Sequence, residues 1–220
     1  MITRISWSSP RFLRDIILSA LLLVLAVVLR STLVQSMTLH MLVHIPLLLA
    51  GGVFLGRAAA MAVTRAPRQS IAHKVAAQAA ACDQHGASGL LYASLAGLYW
   101  MIPKALDSAL LFPAAEASKF LSVIVAGVCL SGSWARADRV IKLFFVGGFC
   151  WMTAIAGLLY QESSTRLCNF YLLNDQAWAG RGLVILAVMI PVGWLLVEVR
   201  QHRIRTRASA AVPTIIQEQA

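Results

Sequence analysis

The segment Ser36-Met37-Thr38-Leu39-His40-Met41-Leu42-Val43-His44-Ile45-Pro46 gathers more ligand-type side chains than any other stretch of the chain. Met37, His40, Met41 and His44 recur at i, i+3, i+4 and i+7, so a helix carries them as one stripe. Two imidazoles one turn apart can share a metal ion. Imidazole with thioether is a donor set suited to copper, and to Cu(I) once methionine joins. A plainer reading stands beside it, in which the methionines fill a core and each imidazole bonds to a neighbouring helix. An ionisable group within an apolar run is costly to place and is a functional hypothesis by default.

A second constellation is Tyr99-Trp100-Met101-Ile102-Pro103-Lys104-Ala105-Leu106-Asp107. Lys104 and Asp107 are three apart and can pair, while Met101 offers another soft donor. Tyr99 and Trp100 also suit a membrane interface. Lys119 opens a later apolar run and reads as a snorkelling side chain. Between Arg166 and Gly180, Asp175 is the carboxylate placed to attract a cation, and Cys168 is either a reactive thiol or an inert one. The chain has no G-x-S-x-G, P-loop or H-E-x-x-H, so nothing in it argues for hydrolysis or nucleotide chemistry, and no enzyme is expected.

The elements that position these residues are set by composition. Hydrophobic residues make up 59% and charged residues 13% of the 220, with mean hydropathy +0.74, against about a quarter charged in soluble domains. A helix needs roughly 20 apolar residues to cross about 30 Å of hydrocarbon. Six apolar segments can be drawn, the fourth of them short: Phe12 to Val34, Thr38 to Leu55, Ser88 to Leu111, Phe120 to Trp134, Val140 to Tyr160 and Leu183 to Val199. Backbone groups in lipid must be satisfied within the segment, so the expected fold is an all-α polytopic transmembrane bundle of about six spans.

The net charge of +10 is explained by placement rather than by a nucleic-acid partner. Arg4, Arg11 and Arg14, then Arg57, Arg65, Arg68 and Lys74, then Arg136, Arg139 and Lys142, then Arg200, Arg203, Arg205 and Arg207 all fall on one side of a six-span drawing. Basic residues are retained in the cytoplasm, which makes both ends cytoplasmic. One helical domain over residues 1–207 is expected, with a cytoplasmic loop at 57–87 that is either a surface helix or mobile, and a disordered tail at 208–220. The first apolar run has the basic front of a secretory signal but no convincing cleavage site, so it is read as a retained span. Gly52-x-x-x-Gly56 and Gly147-Gly148 are candidate close-packing sites. Pro46, Pro103 and Pro191 are candidate kinks. Four dispersed cysteines give no disulfide framework.

At these residues the chain resembles the CtaG-type cytochrome c oxidase assembly factors, as a short, divergent member. The resemblance runs over Met37 to Val188: His40-Met41-Leu42-Val43-His44 with Pro46 and Gly51, Trp100 through Leu110 with Pro103 and Asp107, Lys119 to Gly127, and Tyr171 through Asp175-Gln176 to Gly180. It implies a multi-pass protein of the bacterial inner membrane, linked to copper supply, with oxidase subunits or a periplasmic copper chaperone as partners. At two positions where that family tends to carry histidine, this chain has Met101 and Lys119. The expected function is a copper-handling or assembly factor, with His40 and His44 as primary ligands and Met37, Met41 and Met101 as soft partners. The rivals are a small permease or proton-conducting protein using His40, His44, Lys104 and Asp107, and a haem-binding electron-transfer subunit.

Overall fold

The computed structural model describes the backbone of residues 10–217 and the side chains of residues 10–201, 203 and 204; Arg4 lies outside the described residues. The helices are α1 (Pro10–Val28), α2 (Arg30–Leu33), α3 (Met37–Leu39), a π turn (His40–His44), α4 (Ile45–Arg65), α5 (Ile71–Cys82), α6 (Ala87–Tyr99), α7 (Pro103–Leu111), α8 (Pro113–Arg136), α9 (Arg139–Glu162) and α10 (Leu173–Gln217), with no strand among the described residues. The tail expected at 208–220 falls on positions whose side chains, and at the end whose backbone, lie outside the described residues.

Four of these helices are long and apolar enough to cross a bilayer: Met37–Arg65, Pro113–Arg136, Arg139–Glu162 and Leu173–Gln201. The outward surface of the bundle is apolar too. Ile185, Val188, Met189, Leu195 and Leu196 on α10 are each more than half exposed, a continuous patch that water would penalise and lipid tails accept. The chain is a helical membrane protein.

Three of the six expected segments take a different form. The run from Phe12 to Val34 is divided at Leu29 into α1 and the short α2. The segment from Ser88 to Leu111 is broken into α6 and α7, because Pro103 has no N–H to give and pushes the preceding residue out of helix; Ile102 is extended at φ −77°, ψ 125°. The run from Phe120 to Trp134 is the C-terminal part of the 24-residue α8, whose Pro113 sits in the first turn. Pro191 does not interrupt α10. The loop at 57–87 holds the end of α4 and then α5, a surface helix with no buried residue, capped by Ser70 Oγ accepting from His73 N–H.

Close packing of backbones assembles the bundle. A Cβ on Gly52 would stand 2.3 Å from the Ile124 carbonyl oxygen, and one on Gly127 2.3 Å from that of Leu49, so α4 and α8 touch along their backbones. Gly157 and Gly180 bring α9 and α10 together in the same way: a Cβ on either would stand 2.7 or 2.5 Å from the other's carbonyl oxygen. Gly147 and Gly148 meet nothing within 4 Å, so the second candidate pair makes no close approach.

The arginine clusters converge on one end. Arg14 and Arg57 both pair with Asp15, at 2.9 and 3.3 Å, Arg139 pairs with Glu198 at 3.6 Å, and Arg65 lies over the Phe12 ring. Arg136 pairs with Asp83, which also accepts from Ser133 Oγ and Gly89 N–H. Burial pushes the Asp83 carboxyl up, but these hydrogen bonds and the guanidinium outweigh it and hold the group below its usual 3.8.

Candidate functional site

At the end opposite the arginines, Pro46 again decides the local geometry. It cannot donate back along the helix, and its ring crowds the carbonyl four residues before it. The backbone just ahead widens into the π turn, where Ile45 N–H reaches the His40 carbonyl five residues back. A widened turn rotates its side chains relative to an α-helix, and the expected single stripe is split. Met37 and Met41 enter an apolar cluster with Leu106, Tyr160, Cys168, Tyr171 and Leu183. His40 and His44 stay together, their ring centroids 5.4 Å apart, and face elsewhere.

His40 is fully buried. Its Nδ1 is 2.9 Å from Tyr171 Oη and its Nε2 is 2.8 Å from Lys119 Nζ. The Tyr171 hydroxyl also lies 3.0 Å from the Val34 carbonyl oxygen, which can only accept. The single phenolic proton therefore goes to Val34, the hydroxyl accepts from His40 Nδ1–H, and the lone pair of Nε2 is left to accept from Lys119. One carbonyl thus orders the protons of three side chains. Burial holds the Tyr171 hydroxyl protonated, well above its usual range, with Cys168 and Asp175 adding to the effect.

Lys119 is fully buried, with its Nζ also 5.5 Å from the Phe120 ring centre. No carboxylate pairs with it among the described residues; Glu116, one turn earlier, is taken by Arg30. The snorkelling position expected for Lys119 is corrected here, because α8 starts at Pro113 and puts the residue well inside the helix. His44 is equally buried and packs edge-on against Phe120 at 5.5 Å. Neither of its ring nitrogens has a hydrogen-bond partner in good geometry among the described residues, although the Ala26 carbonyl faces it.

The other expected residues divide. Met101 packs against the Met37–Met41 cluster, and its sulfur lies 3.8 Å from Thr153 Oγ1, whose proton goes to the Phe149 carbonyl at 2.7 Å. Met41 and Met101 line one apolar cavity of about 180 Å3 between the helices. The expected Lys104–Asp107 pair does not form: Lys104 is exposed, whereas Asp107 is buried and its Oδ2 accepts from Asn169 N–H at 2.9 Å and Nδ2 at 3.2 Å. Asp175 does not reach toward solvent for a cation. It accepts from Ser36 Oγ and Thr38 Oγ1, both at 2.8 Å, and from Met37 N–H, and so caps from α10 the helix that carries the histidines. Cys168 is 1% exposed, and burial with Asp107 nearby pushes its thiol up to about 12, so it is inert.

For a copper ion the fit is incomplete. Of the two imidazoles only His44 has an open lone pair, since His40 Nε2 holds the ammonium, and the described residues contain no group of three or more His, Cys, Asp or Glu side chains placed to hold a metal. What the arrangement offers instead is a buried cation, an ordered proton chain and one unsatisfied imidazole. In the sequence Tyr171 stood out only as the start of one segment of the family resemblance, with no role of its own. Lys119 carried a signal: Pro113 followed by Glu116 is a helix start, and it dates the helix to six residues before the lysine.

No protein-family model, no curated protein and no solved structure matches the chain.

Proposed function

We propose that the protein is a six-span factor of the bacterial inner membrane, N-in and C-in, acting in the assembly of a respiratory cytochrome c oxidase rather than as an enzyme, with the Lys119 ammonium standing where a metal ion would otherwise meet His40. The orientation follows from the gathering of the arginines at one end. Six spans follow if α1 with α2, and α6 with α7, complete the set begun by the four longer helices.

One observation carries the reading. The four segments that resemble the CtaG-type factors are scattered over the sequence, and hydrogen bonds tie them to one another at the same end of the bundle. His40 bonds to Lys119 and Tyr171, Trp100 Nε1 donates to Ser122 Oγ at 2.9 Å, Asp107 accepts from Asn169, which lies just ahead of the fourth segment, and Asp175 caps Met37. The permease reading has less support. Ala26, Leu48, Trp100 and Val123 form an apolar cluster in the bundle interior, which offers ions few polar groups.

Copper handling is kept as the second reading because the buried His44 has a ring lone pair that no donor among the described residues fills. Its ligands would be His40, His44 and the thioethers of Met37, Met41 and Met101, and it requires Lys119 to leave His40. Two measurements separate these readings. Deleting the gene lowers the amount of assembled oxidase, and the wild-type chain and His44→Ala both restore it; unchanged oxidase in the deletion strain removes the assembly role. Titrating the purified protein with Cu(I) gives no stoichiometric uptake. One Cu(I) bound per chain, lost in His40→Ala and His44→Ala, replaces the metal-free form with copper handling, with a periplasmic copper chaperone as donor.

A further inference from the structure

At the arginine-rich end lies an open pocket of about 420 Å3, within the roughly 300–1,000 Å3 typical of small-ligand sites. Three helices wall it, with Arg11, Arg14 and Asp15 from α1, Arg57 from α4, and Ser131 and Arg136 from α8. Four guanidiniums meet two carboxylates, an excess of two positive charges. Asp15 is 1% exposed and is shared by Arg14 and Arg57, while Asp83 is taken by Arg136. Arg11 forms no ion pair among the described residues.

The pairing leaves donors free. A guanidinium has five N–H groups. Arg57 meets Asp15 through Nε, and Arg14 through Nε and Nη2, so the remaining terminal nitrogens of both are held in place without being used up by the carboxylate. Asp15 therefore acts as a clamp that fixes two forks side by side. Retention of basic residues in the cytoplasm asks only that arginines lie on one side; it does not ask that three helices aim them into a common hollow around a buried carboxylate.

We infer that this pocket binds a phosphate group, either the headgroup of an anionic phospholipid or a free phosphate anion. Planar forked donors match phosphate oxygens two at a time. Basic pockets between spanning helices are recurrent sites for anionic headgroups. Leu13 and Ile17 on α1 and Leu55 on α4, close in sequence to the lining residues, are exposed apolar side chains that acyl chains can cover. The pocket is independent of the histidine site, and only the leaflet it faces rests on the orientation proposed above.

The test uses the full chain purified in a neutral detergent, followed by thermal unfolding and native mass spectrometry with added cardiolipin, phosphatidylglycerol, phosphatidylcholine or inorganic phosphate. The anionic lipids raise the melting temperature and stay bound, phosphatidylcholine does neither, and the effect fades with salt. Arg11→Gln weakens the anionic lipid about fivefold, the loss expected for one basic residue near a membrane surface. Arg11→Lys retains most of the binding, and Lys104→Gln at the other end changes nothing. Inorganic phosphate giving the same Arg11-dependent shift as the lipids also supports the site and assigns the anion to the aqueous phase. Equal retention of phosphatidylcholine and phosphatidylglycerol overturns the inference, as does Arg11→Gln indistinguishable from wild type in every arm.

Discussion

Replacing Tyr171 by phenylalanine tests the proton order at the histidine site, because the ring stays and only the hydroxyl goes. That hydroxyl accepts from His40 Nδ1 at 2.9 Å and donates to the Val34 carbonyl at 3.0 Å. Its loss strands the N–H of an imidazole that is 0% exposed, and with it a carbonyl in a half-buried turn. A stranded buried group costs roughly 1–3 kcal/mol, and with Val34 recovering part of its loss from water the total is about 2–4 kcal/mol. A chain of this length loses roughly 2–4 °C of melting temperature per kcal/mol, so the transition falls by about 4–16 °C. Thermal unfolding in detergent, followed by tryptophan fluorescence, reads the shift. Tyr99→Phe is the control, since Tyr99 is 54% exposed, and its shift stays within about 2 °C. Nitrogen-15 NMR of labelled histidine shows His40 protonated on Nδ1. A Tyr171→Phe variant that melts like wild type, or a His40 protonated on Nε2, refutes the deduced order.

Three further outcomes follow from the packing and the charges. Gly52→Ala forces a methyl to 2.3 Å from the Ile124 carbonyl oxygen and destabilises by about 1–3 kcal/mol or more, whereas Gly147→Ala, with open space around it, leaves the melting temperature unchanged; equal effects from both would contradict the α4–α8 contact. A maleimide labels the exposed Cys82 in the folded protein and spares Cys168, whose thiol at about 12 is ionised to only about one part in 10^5 at neutral pH; rapid labelling of Cys168 before unfolding counts against its burial. Asp83 is held below its unfolded value, so its contribution is complete above about pH 4 and disappears as the pH falls through the lower folded value. The melting temperature accordingly drops in acid, and Asp83→Asn lowers it at neutral pH while flattening that acid limb; an unchanged limb removes Asp83 as its source.

Much of the molecule was legible in the sequence for local reasons. Apolar runs longer than any soluble helix needs marked the helices, and the position of the arginines marked the end at which they collect, because both depend on residue type and order alone. Gly52-x-x-x-Gly56 was legible as a packing motif, but the same logic marked Gly147-Gly148, which packs against nothing. A motif states that backbones are able to approach and carries no information on which face is offered a partner.

The histidine site divides along the same line. Sequence by itself determined that two imidazoles stand one turn apart on an apolar helix, and that two thioethers share their register. The tertiary structure decided what each of them touches. Pro46 opens the π turn that sends Met37 and Met41 into the apolar cluster and leaves His40 and His44 facing Lys119 and Phe120. Lys119 comes from a helix far along the chain and Tyr171 from a loop further still, and a single backbone carbonyl, that of Val34, fixes which atom holds which proton. Spacing along a helix places side chains on a face, whereas the partner that fills a lone pair is set by long-range packing, which no local pattern encodes.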